Sequence, residues 1–179
     1  PMRIILNFFL IMCLMFSTSN AKDQLYYQVG FFDYKHETGG LLFNIKKVSD
    51  NTYNVLNFGE LTQIYEFTSI IDKENKFSKG EETEKREEYA IYLSSGLQKV
   101  VRLSDNFSLV PSFSVGLYES FDQGKEMGLP IEFKSEVELY FNLSQDTYLG
   151  LTWHHISNAD LGYKNPGSDS ILLNITSNF

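Results

Sequence analysis

Apolar side chains recur at every second position through much of the chain. In residues 131–141 one face carries Ile, Phe, Ser, Val, Leu and Phe, and the other carries Glu, Lys, Glu, Glu and Tyr. Residues 107–118 separate in a similar way, with Phe, Leu and Val on one face and several serines on the other. Successive side chains of a β-strand point to opposite sides, so a period of two predicts strands with one apolar face. The pattern is that of an all-β protein.

Turn-forming residues divide this alternating region into about eight predicted strands. The strands span 24–34, 40–48, 53–67, 88–101, 107–118, 130–141, 147–157 and 169–179. The connections alternate between short polar turns, at 49–52, 104–106 and 142–146, and longer segments, at 72–88 and 119–129. An even strand number, strands of about 9 to 11 residues and short turns on one side only are typical of outer-membrane barrels. The sequence therefore predicts an eight-stranded antiparallel transmembrane β-barrel.

Residues 1–21 have the pattern of a secretory signal peptide. Arg3 precedes an apolar run at 4–16, and small residues stand at Ser19 and Ala21, where a signal peptidase requires them. The run is shorter than the roughly 20 residues that a membrane-spanning helix needs. We expect cleavage after Ala21, which leaves residues 22–179 as the barrel.

The last predicted strand favours a membrane barrel over a soluble one. A soluble barrel such as a lipocalin, or a β-sandwich, would alternate as well. Here Ile171, Leu173 and Ile175 form an apolar face, and the strand finishes on the aromatic Phe179. This ending resembles the C-terminal signature of outer-membrane barrels. Together with the predicted signal peptide, it predicts that the protein resides in the outer membrane.

Composition narrows the classes of function. The 15 Lys and Arg against 23 Asp and Glu give a formal net charge of −8, which argues against nucleic acid as a partner. The only cysteine, Cys13, lies in the predicted signal peptide, and Cys/His zinc spacings are absent, so neither a disulfide scaffold nor a zinc finger is expected. With three histidines and no convincing carboxylate cluster, we expect no metal and no cofactor. A loop-bound cation that bridges to lipid phosphates stays open.

Residues 153–169 concentrate the side chains that can do chemistry, including two of the three histidines. On a strand, His155 and Ser157 point the same way about 7 Å apart at the backbone, so the imidazole can serve the hydroxyl. Asp169, at the start of the last strand, is placed to complete a Ser/His/acid arrangement. His154 points the opposite way and is expected in the barrel interior or at its rim. Taken alone, the same residues also suit a strand that simply ends in polar side chains.

Two motifs in this segment carry a more specific resemblance. They are His155-x-Ser157-Asn158-Ala159 and, after five intervening residues, Asn165-Pro166-Gly167-x-Asp169, followed by the strand that ends in Phe. Together with residues 124–135, they resemble the lipid A 3-O-deacylase (PagL) family. The resemblance is close over 124–179 and general, by strand pattern and length, before that. It implies an eight-stranded outer-membrane barrel that acts as an esterase.

The resemblance also implies roles for single residues. The family's triad of His, Ser and an acid carries over to His155, Ser157 and Asp169, although the acid best known in the family is Glu, which is one methylene longer. Asn158 and Asn165 are candidate oxyanion donors or supports. The turn chemistry of an Asn-Pro-Gly sequence explains these two asparagines equally well.

Strand parity predicts where such a site opens. Leu149, Leu151 and Trp153 form the apolar, lipid-facing row of their strand, and the same row continues to His155 and Ser157. We therefore expect the site on the outer wall of the barrel, at the level of the outer leaflet, where lipid A resides.

The expected function is an outer-membrane esterase that removes the 3-O-linked acyl chain of lipid A by a Ser/His/acid mechanism. Its partners would be lipid A, or lipopolysaccharide, and membrane lipid, and a homodimer is compatible with the sequence. The alternative is a non-enzymatic eight-stranded barrel that serves as an adhesin or structural anchor. Gly162 and Gly167 are most simply loop hinges.

Overall fold

The structure is a computed structural model that describes residues 23–34, 40–74, 86–121, 125–143 and 147–177. The predicted signal peptide, residues 1–21, and the terminal Phe179 lie outside these ranges. Every regular element within them is a β-strand. No helix among the described residues is long and apolar enough to cross a membrane.

Nine strands are present in the described ranges. They are β1 (Gln24–Phe32), β2 (Gly40–Val55), β3 (Gly59–Glu74), β4 (Arg86–Gln98), β5 (Val101–Arg102), β6 (Phe107–Phe121), β7 (Ile131–Asn142), β8 (Thr147–Ser157) and β9 (Ser168–Ser177). Eight of them are long. The two-residue β5 pairs with the beginning of β6 inside the connection that follows β4.

The eight long strands close into a barrel. Each pairs antiparallel with the long strands next to it in sequence, β4 pairs directly with β6, and β1 pairs with β9 to complete the ring. This arrangement confirms the predicted eight-stranded antiparallel barrel. Closure leaves no long strand with an unpaired edge, which is a condition for β-structure in lipid.

On β7, the charged side chains point into the barrel and the alternating apolar side chains point out. On β7, the side chains of Glu132, Lys134, Glu136 and Glu138 are at most 1% exposed, whereas the alternating Leu139 is 40% exposed. A lipocalin-like barrel or a sandwich would bury the apolar face instead. The reversed sidedness is that of a barrel whose outer wall contacts lipid.

Ion pairs fill the middle of the barrel. The Nζ atom of Lys46 lies 2.5 Å from Glu136 Oε1 and 2.7 Å from Glu138 Oε2. Lys134 pairs with Glu66 and, at 2.9 Å, with Glu136. Burial strips each charge of its water, so these groups remain inside because each has partners of opposite sign.

Two buried apolar clusters lie on either side of this charged layer. One, at the end of the barrel where β8 finishes, consists of Phe32, Leu42, Ile70, Ala90, Tyr92, Tyr118, Met127, Ile156 and Leu172. The other, at the opposite end, consists of Tyr26, Val48, Ile64, Val110 and Tyr140. The inward-facing Ile156 near the end of β8 therefore packs in a buried cluster. This packing fixes the position of the residues on the outer face of the strand.

The structure corrects the prediction of a turn at residues 49–52. The β2 strand continues to Val55, and the pairing with β3 shifts register between Val48 and Thr52. The chain reverses just after Val55, where Asn57 and Gly59 have φ angles of 70° and 74°. Asn and Gly adopt this left-handed backbone most easily, so the reversal falls there and the earlier polar residues form a bulge.

Candidate active site

The β8–β9 ladder brings His155 and Asp169 together. The two residues are direct partners in the antiparallel register, and the Nδ1 atom of His155 lies 3.2 Å from Asp169 Oδ1. The imidazole side chain is 38% exposed and the carboxylate 12% exposed. A carboxylate at this nitrogen fixes the tautomer and the orientation of the ring, and it stabilises the ring when it is protonated.

Ser157 lies on the same face of β8 as His155. Exposure alternates along the strand, with Leu151 and Trp153 exposed and Ile156 buried, and the outward row continues through His155 to Ser157. Within the described part of the chain, the Ser157 hydroxyl makes no hydrogen bond to His155. In enzymes without bound substrate, catalytic hydrogen bonds are often long and tighten only when the substrate is present. The outward placement agrees with the parity expectation.

His154 takes the other side of the strand. Its ring is fully buried in the lumen, with Nδ1 3.6 Å from Glu136 Oε2. This is the interior position that the alternation predicts. His154 is therefore separated by the barrel wall from the outward-facing His155.

A tight turn follows Ser157. The amide of Leu161 donates to the carbonyl of Asn158 at 3.1 Å, and the two central residues, Ala159 and Asp160, have φ angles of 54° and 61°. These are the features of a type I′ turn, in which non-glycine residues carry some backbone strain. Strain of this kind is concentrated at functional sites in proteins.

The two candidate asparagines hold this loop, which spans residues 158–167. Asn158 is fully buried, and its Nδ2 donates to the carbonyls of Met127 at 2.6 Å and Lys164 at 2.8 Å. Both amide hydrogens are thus engaged, so the geometry assigns Asn158 a supporting position. The Oδ1 atom of Asn165 accepts from the backbone N–H of Asn158 at 3.2 Å, and its Nδ2 atom donates to Asp160 Oδ1 at 3.0 Å. One amide hydrogen of Asn165 remains for another acceptor.

A polar clasp, formed by Glu126, Tyr163 and Lys164, joins the loop before β7 to the loop after β8. Glu126 Oε2 lies 2.6 Å from Lys164 Nζ and accepts from the Tyr163 hydroxyl at 3.1 Å. The hydrogen bond from Lys164 lowers the pKa of Glu126, with that from Tyr163 next in importance. The same contact raises the pKa of Lys164. The clasp therefore holds the loop that carries Asn165 against its neighbour.

Three neighbours of the candidate residues His155, Ser157 and Asp169 are visible only in the assembled sheet. Phe133 on β7 is the register partner of Ser157. The amide of Tyr34 donates to the backbone carbonyl of Asp169 at 3.1 Å, so the connection after β1 contacts the start of β9. Gly167 lies beside the imidazole ring. Alternation places Phe133 on an apolar face, but the pairing between strands is needed to place it next to Ser157.

The described residues contain no group of three or more His, Cys, Asp or Glu side chains that could hold a metal ion. At the end of β8, the imidazole of His155 contacts the carboxylate of Asp169, and the hydroxyl of Ser157 lies on the same face of the strand. These are the groups of nucleophilic acyl transfer.

A closed antiparallel barrel with charges inside and apolar side chains outside defines an outer-membrane β-barrel protein. The sequence model of the lipid A 3-O-deacylase (PagL) family matches residues 25–178. The chain belongs to this family and is an outer-membrane lipid A 3-O-deacylase, as the resemblance of its motifs predicts. No curated protein sequence shows significant similarity to it.

Solved structures share the fold. The crystal structure of the outer membrane enzyme PagL is 14% identical, with a TM-score of 0.57, and the match covers 87% of this chain and 99% of that one. Neisserial surface protein A is 10% identical with the same TM-score of 0.57, over 88% of this chain and 96% of that one. Ail of Yersinia pestis, in complex with the heparin analogue sucrose octasulfate, is 13% identical with a TM-score of 0.50, over 87% and 96%. At these identities the likeness establishes the barrel fold alone.

Proposed function

We propose that this protein removes the 3-O-linked acyl chain of lipid A by a Ser/His/acid mechanism, at a site on the outer wall of the barrel. The observation that carries the proposal is the contact between His155 Nδ1 and Asp169 Oδ1 on the face that also bears Ser157. With Nδ1 engaged by the carboxylate, Nε2 is the ring nitrogen left to take a proton from Ser157.

The reaction then proceeds in two halves. Ser157 Oγ attacks the ester carbonyl while His155 takes its proton, and the imidazolium passes that proton to the departing sugar oxygen. Water attacks the resulting acyl-enzyme, with His155 as base again, and releases the fatty acid. Asp169 holds the imidazole and stabilises its protonated form in both halves.

The environment of the site suits a lipid with a polar head. Below His155 on the outer wall lie the exposed side chains of Trp153, Leu151 and Ile171. Above it lies a loop with polar and charged residues, among them Asp160 and Lys164. Polar side chains on a lipid-facing wall cost little near the interface and a few kcal/mol at the midplane. The site therefore belongs at the level of the outer leaflet, where the ester of lipid A meets its sugar.

Mass spectrometry of lipid A tests this function directly. Expression in a Gram-negative host should yield lipid A that lacks one 3-hydroxyacyl group, and Ser157→Ala should restore the complete form. Ser135→Ala is the matched control, because Ser135 is an outward serine on β7 opposite His155. It should leave deacylation intact.

The same experiment separates the alternatives. If Ser157→Ala deacylates as well as wild type, the mechanism is wrong, and loss of activity in Ser135→Ala alone would identify a different nucleophile. If the wild-type barrel reaches the outer membrane and leaves lipid A unchanged, the result favours the alternative function as an adhesin or structural anchor.

A further inference from the structure

Gly167 lies next to the imidazole of His155, in the segment that leads into β9. It immediately precedes β9, and the register pairs His155 with Asp169 and Ile156 with Ser168. One more step along the same register places Gly167 across from Ser157. Its φ angle of 60° lies in the left-handed region, so the chain leaves the ladder at this point.

The space where a side chain would stand at Gly167 is taken by the imidazole. A Cβ atom built there would lie 3.0 Å from His155 Cε1 and 3.5 Å from Nε2. A carbon–carbon separation of 3.0 Å is well inside the comfortable contact distance of about 3.5 to 4.0 Å. The ring would have to move by a few tenths of an ångström.

The direction of that movement matters for the reaction. Asp169 holds the ring at Nδ1, whereas the Cε1–Nε2 edge is the part that a Cβ at position 167 would contact. In the mechanism above, Nε2 receives the proton of Ser157. A substituent at position 167 therefore displaces the nitrogen that does the chemistry while the barrel wall stays in place.

We propose that Gly167 is a positioning residue for His155: its missing side chain leaves the room in which the Cε1–Nε2 edge is aligned with Ser157. The proposal rests on the Ser/His/acid mechanism. It goes beyond a loop hinge, for which only the positive φ angle matters. It also accounts for the position of Gly167, immediately before β9 and against the imidazole ring of His155.

Two substitutions separate the missing Cβ from the backbone angle. Gly167→Ala adds the Cβ and strains the backbone, whereas Gly167→Asn adds the same Cβ with a residue that tolerates left-handed angles. Gly59→Ala is the matched control, since Gly59 has a φ angle of 74° and its Cβ would meet nothing nearer than Lys99 Nζ at 3.7 Å. Gly59 is the first residue of β3, at the end of the barrel opposite the site.

We would measure kcat and KM of the purified variants with lipid A as the substrate. The rates are normalised to the amount of folded barrel, which heat-modifiable mobility in gels reports. A misplacement of 1 Å can cost about a hundredfold in rate, so a shift of a few tenths should lower kcat about tenfold. We expect this loss of kcat in both Gly167 variants, with KM within about twofold of wild type. The rate at which a fluorophosphonate labels Ser157 should fall in parallel. Gly59→Ala should retain both lipid A turnover and labelling.

The outcomes distinguish this proposal from the mechanism on which it rests. If Ser157→Ala is inactive while Gly167→Asn matches wild type in kcat and labelling, the alignment role is wrong and the mechanism stands. An increase in KM with kcat unchanged would also overturn the alignment role, because that result would place Gly167 in substrate binding. If Ser157→Ala retains activity, both proposals fail together.

Discussion

Asp169 stands directly across the β8–β9 ladder from His155, and its Oδ1 atom lies 3.2 Å from the imidazole Nδ1. Directly opposed residues in an antiparallel pair have Cβ atoms only about 4.5 to 5.5 Å apart. A short acid is therefore sufficient at this position. The register supplies the reach that the missing methylene of a Glu would otherwise provide.

This relationship predicts the behaviour of Asp169 variants. Asp169→Asn keeps the shape but removes the charge that stabilises the imidazolium, so kcat should fall by about a hundredfold or more. Asp169→Ala should reduce kcat less severely than Ser157→Ala, because the nucleophile is still present. Lipid A turnover by the purified variants checks this order. Undiminished activity in Asp169→Asn would remove the acid from the mechanism.

Phe133 should contribute to substrate binding. It is the register partner of Ser157 and stacks on Phe113 with ring centroids 6.0 Å apart. An acyl chain that reaches Ser157 along the wall would contact this ring, and the burial of an aromatic side chain is worth about 1.5 to 3 kcal/mol. We expect Phe133→Ala to raise KM about tenfold with kcat largely kept.

A second aromatic pair serves as its control. Phe107 and Phe141 pack with their rings tilted at 44° and their centroids 4.9 Å apart, at the other end of the same strands, β6 and β7. Phe107→Ala removes an equivalent outward ring far from Ser157. If both variants raise KM equally, the effect belongs to the barrel wall in general and not to the site.

Removal of one partner from the buried ion pairs should destabilise the barrel. Lys134→Met leaves the carboxylates of Glu66 and Glu136 with one cation fewer in a fully buried site. Breaking a buried pair by removal of one partner costs about 3 to 5 kcal/mol. Urea titration of the refolded barrel should show this loss, while Arg102→Met, which removes an exposed positive charge, should change stability little. Equal stability of the two variants would contradict the role of the network.

The clasp should weaken in acid. Because the pKa of Glu126 is lowered, its contacts to Lys164 and Tyr163 contribute fully above the ordinary Glu value of 4.5 and are lost as the pH falls through the lowered value. The side chains are largely exposed, so the effect on overall stability is small. Proteolysis of the loop at 158–167 should increase at low pH, and Glu126→Gln should show the same increase already at neutral pH. An unchanged cleavage rate in Glu126→Gln would show that the clasp does not restrain the loop.

The proposed position of the site at the outer leaflet predicts how the barrel is oriented in the membrane. The connection between β3 and β4 is at the same end of the barrel as the loop at 158–167, so both should face the outside of the cell. A tag inserted near Lys79 should be labelled on intact cells. Labelling only after permeabilisation would reverse the orientation.

Several features of this protein follow from the sequence alone because they are local. The alternation in β7 specifies both the strand and which residues share a face, since neighbouring side chains of an extended chain must point in opposite directions. The same rule places His155 and Ser157 together on the outward row and His154 behind it. The resemblance of the motif to the family suggests the chemistry that we propose for these residues.

The features that needed the tertiary structure all depend on how one strand pairs with another. Asp169 reaches His155, and Phe133 flanks Ser157, only through the registers of β9 and β7 with β8. Asn158 turns out to anchor two loops, and Gly167 to lie against the imidazole, because distant segments pack there. The sequence predicted the β2–β3 turn at residues 49–52, whereas the structure has it at Asn57. The difference has the same origin, because pairing with β3 extends β2 beyond the residues that were expected to form the turn. A side-chain period is a property of one strand, whereas register is a property of two, and only the folded barrel decides it.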